Sequence, residues 1–247
     1  MASDIPVEAQ ALGTPTAEHL PSAARQRGNR ISGIVLIVIG LGGVLVGILL
    51  STATDDSFML CFSAAGLIGA LLGVLLLVAS RRQDQRVLVF PEGLSYTKRG
   101  KTNIIRWDDV ASFSYNVTRQ RRAGTTHVYT VRLTDERKYV FSDALANIVG
   151  LGNTIREETT RRILPRVLEA YNADETISFG KLSISKAGIT KGKQTLPWDQ
   201  VKGVKVERGF VSIQKEGKRP RWASVGVAET PNVFVFLALA EQIVGVE

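Results

Sequence analysis

The sequence predicts a membrane protein in which an N-terminal transmembrane α-hairpin is followed by an α+β module of short strands and helices. Three observations predict it. Residues 31–50 and 58–79 are two apolar runs without a charged side chain, separated by a short polar turn. From residue 86 onward, short runs alternate apolar with polar residues between turn signals, the period of half-buried strands. Twice, over 142–172 and 232–246, that period of two gives way to the helical period of 3.6.

Residues 1–30 are rich in Ala, Pro, Ser, Thr and Gln and carry no apolar period, which predicts a disordered tail. They do not form a signal peptide, because the apolar run starts late and a second span follows instead of a small-residue cleavage site. Each apolar run is about 20 residues, or ~30 Å as a helix, the thickness of a bilayer's hydrocarbon core. The fourteen Ile, Leu and Val residues of 31–50 favour insertion by roughly 4–8 kcal/mol before the glycines are subtracted. Arg25, Arg27 and Arg30 precede the first run and Arg81, Arg82 and Arg86 follow the second, whereas the loop Ser51–Ser57 holds only Asp55 and Asp56. The positive-inside rule then puts both termini in the cytoplasm of a two-pass inner-membrane protein and leaves no extracytoplasmic ligand domain.

Glycine recurs at Gly33, Gly40 and Gly47, with Gly43 between, and the second run carries Ala65, Gly69 and Gly73 at four-residue intervals. Small residues on one face let helices approach closely in lipid. These stripes are expected to pack the hairpin on itself, with a homodimer or another membrane protein as the alternative partner. Cys61, the single cysteine, excludes a disulfide framework or thiolate zinc site within one chain. The spans hold no ionisable group, which argues against a proton relay.

In the cytoplasmic part, Arg86–Phe90 and Gly93–Tyr96 read as strands across a Pro-Glu-Gly turn, and Lys98-Arg-Gly-Lys101 as a basic loop. Asn103–Trp107 and Val110–Thr118 follow as strands, then a second basic turn at 119–126, and a hairpin ending at Phe141. A helix capped at Ser142 or Asp143 carries apolar residues at Ile148, Leu151, Ile155, Ile163 and Val167, and Pro165 is expected to kink or end its first part. A second strand set runs from Ile177 to Val225. Thr230-Pro231 then caps a final apolar helix.

The two halves share a frame. Gly93-Leu is followed by Ile105-Arg-Trp107-Asp-Asp-Val110, and Gly188-Ile by Leu196-Pro-Trp198-Asp-Gln-Val201, which suggests an internal duplication. This frame, with its closing helix, resembles the bacterial pleckstrin-homology-like domain, and the whole chain is similar to uncharacterised bacterial two-pass membrane proteins that carry such domains. The resemblance implies one domain over 86–172 and a second over 176–247, each a small β-barrel closed by its C-terminal helix.

Residues 81–247 carry 28 Lys and Arg against 18 Asp and Glu, so a basic module is held beside an anionic surface. In those pleckstrin-like folds that bind inositol phosphates, the first basic loops form the headgroup site. By that resemblance Lys98, Arg99 and Lys101, with Arg119, Arg121 and Arg122, are candidates for anionic-lipid contact, as are Lys191 and Lys193 in the second half. Nothing in the chain gathers a catalytic constellation. Asp108 and Asp109 are adjacent and diverge on a turn, His127 has no second histidine in the module, and Ala146–Asn153 lacks the Lys and Ser/Thr of a P-loop. A non-enzymatic scaffold without cofactor or metal is expected, or else a regulatory or assembly subunit of a membrane complex. Nucleic acid is not an expected partner, because aromatics do not interleave with the basic loops.

Overall fold

The computed structural model describes residues 6–54, 60–81, 85–120, 124–217 and 221–244. Two long helices stand near the N-terminus, α1 (Ala23–Thr54) and α2 (Leu60–Arg81). Stretches 26–53 and 61–78 within them are long and apolar enough to cross a membrane. Their large side chains point outward: Val38 is 64% exposed and Leu75 64%, which is the pattern a lipid solvent requires. The first helix begins eight residues before the apolar run and takes in Arg27 and Arg30. Residues 51–54 of the expected loop belong to α1, and the rest of that loop lies outside the described residues.

The described part of the tail, from residue 6 onward, folds against the module, where a disordered segment was expected. After a 3-10 turn at Val7–Leu12 comes strand β1 (Ala17–His19), which pairs antiparallel with β2 (Gln85–Phe90). Leu12 and Ala9 are buried with Leu88 and Phe90 in a small apolar cluster. Composition made residues 6–22 look solvated because they hold few apolar residues. Those few lie against the outer face of β2, which would otherwise be bare. The hairpin is therefore an insertion between two neighbouring strands of one sheet.

That sheet continues through β3 (Gly93–Lys98) and β4 (Lys101–Arg106) in the order β1-β2-β3-β4. A second sheet holds β5 (Val110–Gln120), β6 (Gly124–Leu133) and β7 (Lys138–Ser142). The long helix α3 (Ile148–Asn172) follows. The second half repeats the count, with a four-stranded sheet of β8 (Ile177–Phe179), β9 (Leu182–Ser185), β10 (Gly188–Lys191) and β11 (Gln194–Leu196). Its three-stranded sheet is β12 (Val201–Glu207), β13 (Phe210–Lys215) and β14 (Arg221–Gly226), followed by α4 (Val233–Val244).

Among the described residues the sheets are open and no barrel closes. The chain turns the corner from β4 to β5 through a 3-10 turn at Trp107–Asp109, and no ladder joins the two strands. Nor does each helix close its own half. Ile148, Leu151 and Ile155 of α3 belong to the first core, while Ile163, Leu164, Val167 and Tyr171 pack against the second. One helix thus serves both cores. Pro165 lies inside α3 and does not end it. Its cap is Asn147, in the left-handed region at φ 50, whose Oδ1 accepts from the Gly150 N–H at 3.3 Å. The expected caps at Ser142 and Asp143 instead precede a turn that pairs Pro21 with Leu145.

Local contacts recur between the halves. The Trp107 indole donates to the Phe90 carbonyl at 3.2 Å, and the Trp198 indole to the Ser185 carbonyl at 2.8 Å. A side chain at Gly93 would meet the Ile105 carbonyl, and one at Gly188 the Leu196 carbonyl, so the strand that leads into each tryptophan turn can approach only where a glycine stands. Trp107 is buried and Trp198 half-buried. Trp107→Phe should therefore cost about 1–3 kcal/mol, and Trp198→Phe less, in urea titrations of the detergent-solubilised chain. Equal costs would mean the indole hydrogen bond is not what burial makes expensive.

Candidate membrane-facing site and inter-module groove

Strand register fixes which end of the first sheet meets the hairpin. Strand β1 leaves at His19, opposite Val87, and α1 starts at Ala23; α2 ends at Arg81 and β2 starts at Gln85. Gln85 pairs with Lys98, and Lys98 with Lys101 across the turn. The tip is a tight turn in which Arg99 and Gly100 both take positive φ, 52 and 74. Lys98, Arg99 and Lys101 are all exposed. Four peptide links at most ~3.5 Å each separate Gln85 from the end of α2, so the basic tip stands within roughly 15–20 Å of the helix end.

The second basic turn sits at the same end. Ser142, the last residue of β7, pairs with Val128, and just beyond it Ala146 N–H donates to the Leu20 carbonyl at 2.7 Å and Ser22 N–H to Ala144 at 2.7 Å. Past that level β5 and β6 continue alone, through Val117↔His127 and Arg119↔Thr125. Arg119 is exposed on this free arm; Arg121 and Arg122 lie outside the described residues. The described candidates from the first half, Lys98, Arg99, Lys101 and Arg119, thus share the end where the chain enters α1.

Lys191 and Lys193 stand at the β10–β11 tip of the other four-stranded sheet. The Lys191 Nζ donates to the Ser224 carbonyl at 3.4 Å, and Lys193 is exposed. With Lys181, Thr190 and Trp222, Lys191 lines an open cleft of about 550 Å³. Lys181 is held by Glu229 at 2.5 Å, and that contact lowers the Glu229 carboxyl below its usual range. The register does not bring this pair to the first group.

The glycines sort by what they touch. Gly33 packs on Gly73 and Leu77 of α2, and a Cβ at Gly40 would lie 2.5 Å from both the Ala70 nitrogen and the Gly66 carbonyl. Gly43 also approaches Gly66, whereas Gly69 has only the Gly40 Cα at 3.8 Å, an ordinary contact. Gly47 is buried on the same helix. Gly66, at the tightest crossing, was not in the four-residue stripe of Ala65, Gly69 and Gly73; its spacing from Gly73 is seven, the interval seen in α1. Cys61 is exposed on α2.

Where the halves meet, Asn232 at φ 55 sits against β5. Its backbone N–H donates to the Phe113 carbonyl at 2.7 Å, its Oδ1 accepts from Phe113 N–H at 2.8 Å, and its Nδ2 donates to Ala111 at 3.1 Å. Asn232, rather than Thr230, is the residue before α4; the Thr230 hydroxyl donates back to Gly226. Phe234 stacks on Tyr115 at 5.5 Å, and the Arg156 guanidinium lies 5.1 Å over the Phe234 ring. The Phe113, Tyr115, Tyr129 and Phe234 rings with Arg156 and Gly152 line a cavity of about 220 Å³. Burial raises the Tyr115 and Tyr129 hydroxyls above the usual tyrosine range, and Asp143 raises Tyr129 further. On the far side, Arg162 bridges Glu158, Asp108 at 3.0 Å and Glu92 at 3.2 Å, so this residue of the expected solvated face ties α3 to the first sheet.

Asp108 accepts from Arg162, while Asp109 through its backbone carbonyl accepts from Thr134 N–H. The ring of His127 lies 3.2 Å from Asp143. Among the described residues no three His, Cys, Asp or Glu side chains gather closely enough to hold a metal ion. No curated protein matches the chain. A model of a family of unknown function, DUF6585, matches residues 1–246, from the N-terminal strand through the hairpin to α4. On that full-length match the chain belongs to the DUF6585 family.

Proposed function

We propose that this chain is a non-enzymatic, membrane-anchored binding scaffold. Its hairpin spans the inner membrane with both termini in the cytoplasm, and two pleckstrin-like modules, related by duplication, lie against the inner leaflet. The recurring indole hydrogen bonds, the matching close approaches at Gly93 and Gly188, and the left-handed asparagines before α3 and α4 support the duplication. One observation carries the lipid reading: Lys98 pairs with Gln85 at the foot of α2, so the Lys98–Lys101 tip and Arg119 lie at the hairpin end of the module. Each such charge near an anionic surface contributes about 1 kcal/mol. The alternative, a regulatory or assembly subunit held through glycine stripes, has less support, because Gly33, Gly40, Gly66 and Gly73 face one another within the hairpin.

The test uses the full chain reconstituted in vesicles. Acetylation of Lys98 and Lys101, followed by mass spectrometry, is expected to be about fivefold slower in anionic than in zwitterionic vesicles, with the difference abolished by high salt. Equal rates in the two lipids would remove lipid contact from the function.

A further inference from the structure

Strand β5 is an edge strand, paired only with β6. Phe113 turns both its N–H and its C=O away from β6, since Asn232 takes both. The ladder runs without a register shift from Ser112 to Gln120. Alternation therefore makes Tyr115, Val117 and Arg119 present their N–H and C=O groups to the same edge. Asn232 covers this edge at Phe113. Beyond it, among the described residues, no backbone hydrogen bond reaches the edge at Tyr115 or Val117.

The side chains of this open stretch face α3. Tyr115 and Val117 line the 220 Å³ cavity with Val149, Asn153, Arg156 and Phe234. Val117 is 42% and Val149 46% exposed, so the mouth of the cavity is apolar. A volume of this size holds one large apolar side chain; an engineered cavity of about 150 Å³ holds benzene. At the inner end Arg156 pairs with its exposed sequence neighbour Glu157 at 3.1 Å, and at the outer end stands Arg119.

We infer that the groove between β5 and α3 binds an extended segment of a partner protein, which adds a strand at Tyr115–Arg119, seats one aromatic or aliphatic side chain between Tyr115, Val149 and Phe234, and presents an acidic residue to Arg156. The occupant is a peptide because the groove continues an interface that a peptide already uses: residues 232–234 of this same chain bond to the β5 edge and insert Phe234 into the neighbouring position. Backbone pairing supplies affinity, and the pocket with its flanking cations supplies selection. The inference does not rest on lipid contact by the basic tips: it shares Arg119 with that reading, while the Tyr115–Val117 edge, the pocket and Arg156 belong to the groove.

The experiment takes the full chain in nanodiscs and an array of short synthetic peptides, each with one Phe or Leu and one Asp at varied spacing, alongside the same array with Lys in place of Asp. Fluorescence polarisation should find Asp peptides that bind about tenfold more tightly than their Lys counterparts, with that preference lost in Arg156→Glu. Val117→Pro removes an edge donor without touching the β6 ladder and should weaken the same peptides about tenfold. Asn153→Trp should block them by filling the mouth. Hydrogen exchange over β6 and α3 checks that each variant is folded. Peptides that bind Val117→Pro as tightly as the parent, or an array with no binder, would overturn the inference. So would native mass spectrometry that finds the groove holding a lipid expelled by Asn153→Trp.

Discussion

Deletion of residues 1–22 is expected to unfold the first module while leaving α1 packed on α2. The deletion strips β1 from the edge of β2 and removes Ala9 and Leu12 from their contact with Leu88 and Phe90. It also removes the Leu20, Pro21 and Ser22 contacts to Ala144–Ala146, which hold the turn before α3. Leu12 is 2% exposed, so Leu12→Ala alone should cost about 2–5 kcal/mol, a large share of the roughly 5–15 kcal/mol that stabilises an ordinary domain. Hydrogen exchange in detergent reads the result: amides of β2, β3 and β4 lose protection in the deletion, and α1 and α2 keep theirs. The complementary chain, residues 1–22 joined by a short Gly-Ser linker to 85–247, should be soluble and folded, because β1 and β2 are already neighbours. Wild-type protection in the deletion would show that β2 does not need its outer partner. One practical consequence is that a soluble fragment beginning at residue 86 would lack a strand.

Gly66→Val is expected to separate α1 from α2. A Cβ at that position meets the Gly40 carbonyl and lies 2.7 Å from the Val44 nitrogen, both backbone atoms that cannot move aside. In lipid there is no hydrophobic force to hold the pair once packing fails, so one added side chain at the crossing outweighs many peripheral contacts. The readout is an engineered disulfide between Val44→Cys and Ser63→Cys in a Cys61→Ser background, positions joined in the parent by the Ser63 hydroxyl donating to the Val44 carbonyl at 3.2 Å. Crosslinking yield should fall about tenfold with Gly66→Val, the effect of losing some 1.4 kcal/mol of helix association. Gly42→Val, with nothing within 4 Å, should leave the yield unchanged. A uniform response at both positions would mean that bulk, and not the crossing, sets the result.

Alternation and period were enough to place most of the strands and the helices α3 and α4, because side-chain spacing is a local property. Gly93 and Trp107, and likewise Gly188 and Trp198, were visible as a shared frame before their contacts were known. What was not legible depends on partners distant in sequence. Residues 17–19 carry no apolar period, and they form a strand only because β2, some seventy residues later, offers an unpaired edge. Arg162 reads as a solvated helix charge until Glu92 and Asp108 fold against it. The inter-module groove has no sequence signal beyond an asparagine after a proline, since its walls come from β5, α3 and the start of α4.

By itself the sequence determined that two uncharged apolar runs precede a β-rich basic region, since transfer from water to lipid depends on composition and length alone. Only the tertiary structure decided that the hairpin is inserted between two strands of one sheet, that α3 serves both cores, and that the Lys98–Lys101 tip lies at the hairpin end of the first sheet. Those are matters of strand register and packing between distant segments, and no local preference encodes them.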